Sequence, residues 1–151
     1  MPVVPPPLYA VAAAAAQHLL APPRSRSVPR AVAAGALAVA SGALAGGAAR
    51  EFSRHGTTVE PFDPSRATAL VTDGPNRLTR NPMYVGLAGL LTAHAVLRGG
   101  WATALPVAGF VAVIDRLQIP AEEAAMSELF GEAYAAYRRS TPRWIGPPAR
   151  V

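Results

Sequence analysis

Two short stretches of the chain carry side chains that could bind or act on a polar ligand. In the first, Arg80 and Tyr84 flank Asn81 and Pro82, where a charged segment passes into an apolar run. Asn81 and Pro82 suit a helix start. Asparagine can accept hydrogen bonds from first-turn N–H groups, and the N–H group that proline lacks would have no partner within the helix at this position. Capping accounts for neither Arg80, which could anchor to phosphates, nor Tyr84, which could simply lie at a membrane interface.

The second stretch, AEEAAMSELFGEAYAAYRR, is predicted to form a helix after a proline. Its apolar residues recur at helical period along one stripe: Met126, Leu129, Phe130, Ala133, Tyr134 and Tyr137. Glu122 and Glu123 fall on this stripe, whereas Glu128 and Glu132 fall on the opposite side. First-turn acids can merely complement the helix dipole. Carboxylates on an apolar face need a cationic or hydrogen-bonding partner, so Glu122 and Glu123 are candidates for a binding site.

Several other kinds of site have no support in the sequence. The three histidines, His18, His55 and His94, lack the spacing of metal ligands, and no metal site is predicted. The sequence contains no P-loop, no glycine-rich dinucleotide motif and no Ser-His-Asp set. The absence of cysteine excludes disulfides, thiolate metal sites and a cysteine nucleophile.

The composition favours a membrane protein of one domain, residues 1–151. Apolar residues make up 51% of the chain, mean hydropathy is +0.23, and the apolar stretches are long. All 14 basic residues are arginines, and the net charge is +5. Because the arginines gather at the ends of apolar runs, they indicate membrane lipid rather than nucleic acid as a partner. Residues 1–20 lack the charged start of a secretory signal and are expected to be a mature membrane segment.

Four apolar runs must position the candidate residues. We predict an all-α membrane bundle of about four transmembrane helices, over 8–21, 31–49, 82–97 and 101–119, followed by an amphipathic helix over about 121–139. The fourth run contains Asp115 and Arg116 near its end. In the second run, Gly42 and Gly46 have the GxxxG spacing that suits close helix–helix contact.

The charges of the loops predict that both termini face the cytoplasm. Ten arginines then lie inside and four outside, which agrees with the positive-inside rule. The inside arginines are Arg50, Arg54, Arg66, Arg77, Arg80, Arg116, Arg138, Arg139, Arg143 and Arg150, and the outside ones are Arg24, Arg26, Arg30 and Arg98. This topology places the 50–81 loop and the C-terminal helix on the same side, where we expect them to form a cytoplasmic cofactor pocket.

The motifs together resemble a known family. LVTDGPNRLTRNPMYVG, followed after one helical hairpin by AEEAAMSELFGEAYAAYRRSTPRWIG, is similar to the isoprenylcysteine carboxyl methyltransferase family and its bacterial relatives. That family is related to the phospholipid N-methyltransferases. The resemblance covers roughly residues 56–146, in the expected order and spacing.

The resemblance implies an integral-membrane enzyme that binds S-adenosylmethionine at the cytoplasmic face and methylates a lipophilic acceptor reached from the bilayer. Catalytic roles are implied for Arg80, Tyr84, Glu123 and Arg143. Cofactor-binding roles are implied for Asn81, Pro82, Tyr84, Gly86, Glu122, Glu123, Tyr134 and Tyr137.

Two positions depart from the family pattern. Asn81 stands where well-known members have histidine, and Asn76 stands where tyrosine is usual. Asparagine can donate and accept hydrogen bonds but does not titrate, so any role that needs an imidazole proton is lost.

Two alternative functions are weighed against methyl transfer. Membrane sterol reductases share a related architecture and use a nicotinamide cofactor, but they are usually much longer, and the Glu122–Glu123 pair before Phe-Gly favours the methyltransferase. A small membrane scaffold or transporter subunit would place ionisable residues in the middle of the membrane. Here nearly all of them lie at helix ends.

The predicted acceptor is a small lipophilic molecule, such as an isoprenoid, a fatty acid or a lipid amine, methylated at oxygen or nitrogen. The arginine- and alanine-rich composition indicates a bacterial source, so the inner membrane is the expected location. The acceptor is expected to enter laterally through a gap beside the small residues of 31–49, which Gly42→Leu or Gly46→Leu would close.

Overall fold

The computed structural model describes residues 4–23, 27–57 and 67–147, which fold into helices joined by short turns. Five α-helices follow one another: α1 (Pro6–Leu20), α2 (Val28–Arg54), α3 (Pro82–Arg98), α4 (Leu105–Val113) and α5 (Ile119–Ser140). The described residues contain no strand, so the all-α prediction is confirmed. Four arginines of the charge comparison lie outside the described residues: Arg24, Arg26, Arg66 and Arg150.

Proline marks the start of every α-helix. Each of the five has a proline in its first two positions. The residues before α1, α2 and α3 are not helical, so the missing N–H group of proline costs no hydrogen bond there. The bounds of α3 agree closely with the predicted 82–97. The helix α2 is longer than the predicted 31–49, because the polar residues up to Arg54 continue the helix.

The last two predicted helices form one continuous helical stretch. A 3₁₀ turn (Trp101–Ala104), α4, a π turn (Ile114–Gln118) and α5 follow one another without a break. Helix α5 nevertheless begins at Ile119 with Pro120 in its first turn, which agrees with the predicted start of a helix at Pro120. Pro120 has no N–H group for the preceding turn, and the wider π turn lies just where that bond is missing.

Helix α5 is kinked at Gly131. Its φ of 49° and ψ of −122° lie outside the helical region and favour glycine. The predicted apolar stripe is thus only partly correct. Tyr134 and Tyr137 are buried, but Leu129 and Ala133 are exposed, because a stripe at constant period assumes a straight helix.

Two helical stretches are long and apolar enough to cross a membrane. These are Val28–Arg54 and the continuous stretch Trp101–Ser140, whose apolar part ends near Ile119. Helices α1 and α3, with 15 and 17 residues, are shorter than the roughly 20 residues of a perpendicular span. That α1 and α3 also cross the membrane stays a prediction.

Helices α2 and α3 pack closely, but not through the predicted glycines. A Cβ atom at Gly86 of α3 would lie 2.7 Å from the Ala45 Cβ and 2.9 Å from the carbonyl oxygen of Ser41. Gly42 and Gly46 instead have no atom of another element within 4 Å of such a Cβ position. The prediction of a close contact at the GxxxG glycines is wrong, because these residues lie on the exposed face of α2.

A buried polar network joins α1, the second half of α3 and the 3₁₀ turn before α4. The side-chain amide of Gln17, fully buried in α1, donates to the carbonyl oxygens of Leu91 and Thr103, each at 2.9 Å. The Gln17 Oε1 lies 2.7 Å from the Nδ1 of His94. In the described part of the chain, no three His, Asp or Glu side chains come together as a metal site would require.

Candidate functional site

The segment before α3 and the segment after α5 are joined by hydrogen bonds. The Arg80 N–H donates to the carbonyl oxygen of Pro142 at 2.8 Å. The Thr79 hydroxyl and the Asn81 side-chain amide both donate to the carbonyl oxygen of Arg143, at 2.8 and 3.0 Å. We call residues 79–81 and 141–143 the clasp. The clasp brings two regions that are far apart in sequence to the start of α3.

The capping role predicted for the Asn81 side chain is not observed. Asn81 precedes the first helical residue, Pro82, as expected, but its side chain makes no capping bond to α3. The amide is instead used in the clasp, where it donates to the carbonyl oxygen of Arg143. The first-turn N–H groups of α3 therefore have no side-chain cap.

Glu123 lies between two arginines. The Arg80 Nη2 donates to the Glu123 Oε1 at 2.7 Å. Arg143 binds the same carboxylate with two donors, at 3.1 Å from Nε and 2.7 Å from Nη2. The Arg80 and Glu123 side chains are only 9% and 10% exposed. This arrangement pairs the predicted catalytic residues Arg80, Glu123 and Arg143 with one another.

The charges in this cluster stabilise each other. Burial alone would raise the pKa of the Glu123 carboxyl, but hydrogen bonds and charges from Arg143 and Arg80 outweigh it and lower that pKa. The hydrogen bond to Glu123 raises the pKa of the Arg143 guanidinium. Glu123 is thus ionised at neutral pH and already matched by cations.

Asp115 and Trp144 extend the cluster, and sequence reasoning did not assign them a role. The Asp115 Oδ1 accepts hydrogen bonds from the Trp144 Nε1 at 2.8 Å and from the Arg143 Nη1 at 3.1 Å. The sequence does contain a signal, because Asp115 interrupts an apolar run and Trp144 lies within the C-terminal motif.

Glu122 is placed differently from its neighbour. Its Oε1 accepts hydrogen bonds from the Tyr84 hydroxyl at 2.5 Å and from the Gln118 side-chain amide at 2.7 Å. Both donors are neutral, and across residues 4–23, 27–57 and 67–147 no cation forms an ion pair with Glu122. Burial raises the pKa of the Glu122 carboxyl, against the effect of these two hydrogen bonds.

The two predicted tyrosines of α5 line the same region. The Tyr137 hydroxyl donates to the carbonyl oxygen of Asn76 at 2.6 Å, and the Tyr134 and Tyr137 rings lie 6.2 Å apart. Burial raises the pKa of both phenols. Asn76, which stands where the family usually has tyrosine, is buried and contributes its backbone to this contact.

Most of the predicted site residues lie together, with one exception. Arg80, Tyr84 and Asn81 from the start of α3 meet the acidic pair, the tyrosines of α5 and Arg143. Gly86 instead faces α2, where Ala45 and Ser41 leave no room for a side chain. A part for Gly86 in cofactor binding therefore stays a prediction, while its packing role is evident from the contact.

Comparison with known proteins supports the resemblance. The family model described as "Phospholipid methyltransferase" matches residues 29–133, which include the Arg80–Tyr84 motif and the Glu122–Glu123 pair. An uncharacterized protein of Haemophilus influenzae is 33% identical over 63 residues, which cover 42% of this chain and all of that protein. No solved structure matches the chain. Because the family match covers more than half of the sequence, the chain belongs to the phospholipid methyltransferase family.

Proposed function

We propose that the chain transfers a methyl group from S-adenosylmethionine to a lipophilic small-molecule acceptor at the cytoplasmic face of the membrane. Membership of the phospholipid methyltransferase family indicates a methyltransferase and a lipid-type substrate. The identity of the methyl donor and the placement of the reaction are our proposal.

One observation carries the proposal: the Glu122 carboxyl forms no ion pair with a cation of the described residues. A carboxylate that is partly withdrawn from water is costly unless a cation or several donors compensate it. Glu123, one residue away, is compensated by two arginines, whereas Glu122 accepts hydrogen bonds from two neutral donors in the part of the chain that the structure describes. The sulfonium and ammonium groups of S-adenosylmethionine are the kind of cation that Glu122 lacks.

The anionic end of the cofactor has candidate donors nearby. The Nε of Arg80 is buried and has no hydrogen-bond partner within the described residues. The first-turn N–H groups of α3 lack a side-chain cap, and helix N-termini favour anions. These donors would suit the carboxylate of the cofactor. Glu122 would thus suit the cationic groups of S-adenosylmethionine, and the donors at the start of α3 would suit its carboxylate.

When bound, S-adenosylmethionine would supply an electrophilic methyl group on a sulfonium centre. In the displacement, a bond forms from the acceptor oxygen or nitrogen to the methyl carbon as the carbon–sulfur bond breaks, and the bonding pair stays on sulfur. A carboxylate or a neutral amine can attack without losing a proton, whereas a hydroxyl or an ammonium group must give a proton to water at the membrane interface. The residues described here would contribute binding and alignment, which supply much of the acceleration in such reactions.

Glu122→Gln is expected to weaken S-adenosylmethionine binding by roughly ten- to a hundredfold, since a bond to a charged group contributes on the order of 1.5–3 kcal/mol. The Gln variant keeps the size and the hydrogen bonding of the side chain but removes its charge. Isothermal titration of detergent-purified protein would measure the effect.

The affinity of the wild-type protein for S-adenosylmethionine should also fall on acidification. The fall should occur at a higher pH than for an ordinary glutamate, because the raised pKa makes the Glu122 carboxyl neutral at a higher pH.

Glu128→Gln and Glu132→Gln are the matched controls, because both side chains are exposed on the far side of α5. Neither should change the affinity. Equal losses of affinity in all three variants would mean that these acids act only through the net charge of the protein and not by contact with the cofactor. Binding of NADPH in place of S-adenosylmethionine would contradict methyl transfer and favour a nicotinamide-dependent reductase.

The proposed location also predicts a topology. A reporter fused after Val151 should behave as cytosolic, and one inserted near Ser27 should behave as external, because the cofactor is made in the cytoplasm. Cysteine-accessibility labelling of the same positions, in a chain without native cysteine, gives an independent measurement. The opposite pattern would place the site on the side that lacks the cofactor.

A further inference from the structure

An open groove of about 900 Å³ runs along the face shared by α3 and α4. Small and apolar residues form most of its wall, and three of them recur at four-residue spacing: Ala104 at the end of the 3₁₀ turn, and Ala108 and Ala112 in α4. From Trp101 to Asp115 the groove follows the helical stretch for about 20 Å, at 1.5 Å per residue. This length suits an extended chain better than a compact ring.

One end of the groove is polar and touches the candidate site. Asp115 and Trp144 line this end and are hydrogen-bonded to each other, and Asp115 is paired with Arg143. Arg143 in turn binds Glu123. The groove is therefore connected to the acidic pair through a continuous set of polar contacts, while its other end, at Trp101, is exposed.

We propose that this groove holds the elongated apolar chain of the methyl acceptor, with its polar head at Asp115 and Trp144. This inference rests on the proposed function. An amphiphile matches the groove because Asp115, Arg116 and Trp144 make one end polar, and most of the rest of the wall is apolar. Asp115 and Trp144 are positioning residues for the head, and the alanines of α4 determine which chains can enter.

The location replaces the predicted gap beside Gly42 and Gly46. Those glycines face away from α3 and have open space around them, so they do not line a gap next to that helix. At Gly86, α3 packs directly against α2 and leaves no gap. On the side of α3 that faces α4, the described residues leave an open groove.

The test uses the full chain in nanodiscs with three probes: palmitic acid, palmityl alcohol and palmityl amine, each with a diazirine in the middle of the chain. Photo-crosslinks are expected on peptides of α3 and α4, together with transfer of tritiated methyl from S-adenosylmethionine to at least one probe. Ala108→Phe and Ala112→Phe, two exposed positions that line the groove, should each lower crosslinking and methyl transfer roughly tenfold. Binding of S-adenosylmethionine should stay unchanged in both.

Leu105→Phe is the matched control, because Leu105 is exposed on the same helix and does not line the groove. It should behave as wild type. Crosslinking that falls while methyl transfer persists would mean that the groove holds bilayer lipid, which overturns the assignment. Unchanged crosslinking in both variants, crosslinks on α2, or binding of the cofactor without transfer to any probe would overturn it too. Failure of the wild type to bind S-adenosylmethionine would instead refute the proposed function.

Discussion

Replacing Glu123 with alanine is expected to lower the free energy of unfolding by about 3 kcal/mol, the lower end of the range for breaking a buried ion pair. The substitution leaves Arg80, only 9% exposed, without its carboxylate. Arg143 is 32% exposed and can be hydrated, which is why we expect no larger loss. Circular dichroism during SDS titration of the detergent-purified protein would measure the difference.

The matched control is Glu132→Ala, which removes an exposed pair with Arg139. Because both partners are hydrated, the expected change is about 0.5 kcal/mol or less. The difference in the free energy of unfolding between wild type and Glu123→Ala should also depend on pH. The lowered pKa of Glu123 means that its contribution is complete above the ordinary value of 4.5 and is lost as the pH falls through the lowered value. An equal loss of unfolding free energy in Glu123→Ala and Glu132→Ala would contradict the assignment of a buried ion pair to Glu123.

Gly86→Ala is expected to destabilise the bundle by about 2–3 kcal/mol through overpacking. The added methyl group would meet the Ala45 Cβ and the carbonyl oxygen of Ser41, neither of which can rotate away, so α2 and α3 would have to separate. The same titration would measure this loss.

Gly42→Ala provides the contrast, because it adds the same methyl group to a helical glycine in open space. Alanine is favoured over glycine in a helix interior by roughly 1 kcal/mol, so this variant should be neutral or more stable. Effects of the same sign and size at both positions would show that α2 and α3 do not pack as described.

The sequence allowed much of the architecture to be predicted. Hydropathy and the positions of proline indicated the helices, because a proline at a helix start is a local signal. The different surroundings of Glu122 and Glu128 followed from helical period alone, since only two turns separate them. The family motifs identified the residues around the start of α3, and the family match confirms that resemblance.

Other features depend on contacts that no local pattern reveals. Which small residues of α2 meet α3 depends on the rotation of both helices, and so Ser41 and Ala45 were missed in favour of Gly42. The kink at Gly131 and the π turn before Pro120 change the helical phase, which a periodic pattern assumes to be constant. The pairing of Glu123 with both Arg80 and Arg143 joins residues up to 43 positions apart.

The clasp also has a consequence for how the molecule opens. The bond from Thr79 to Arg143 joins residues 64 positions apart, so α3, α4 and α5 form a ring closed by non-covalent contacts. The entropic cost of closing such a ring grows only slowly with its length, and a few bonds can offset it. Once the clasp breaks, both of its segments lose their partners together. The amide hydrogen of Arg80, which donates to the carbonyl oxygen of Pro142, would then exchange with solvent when the whole clasp opens rather than by separate fraying.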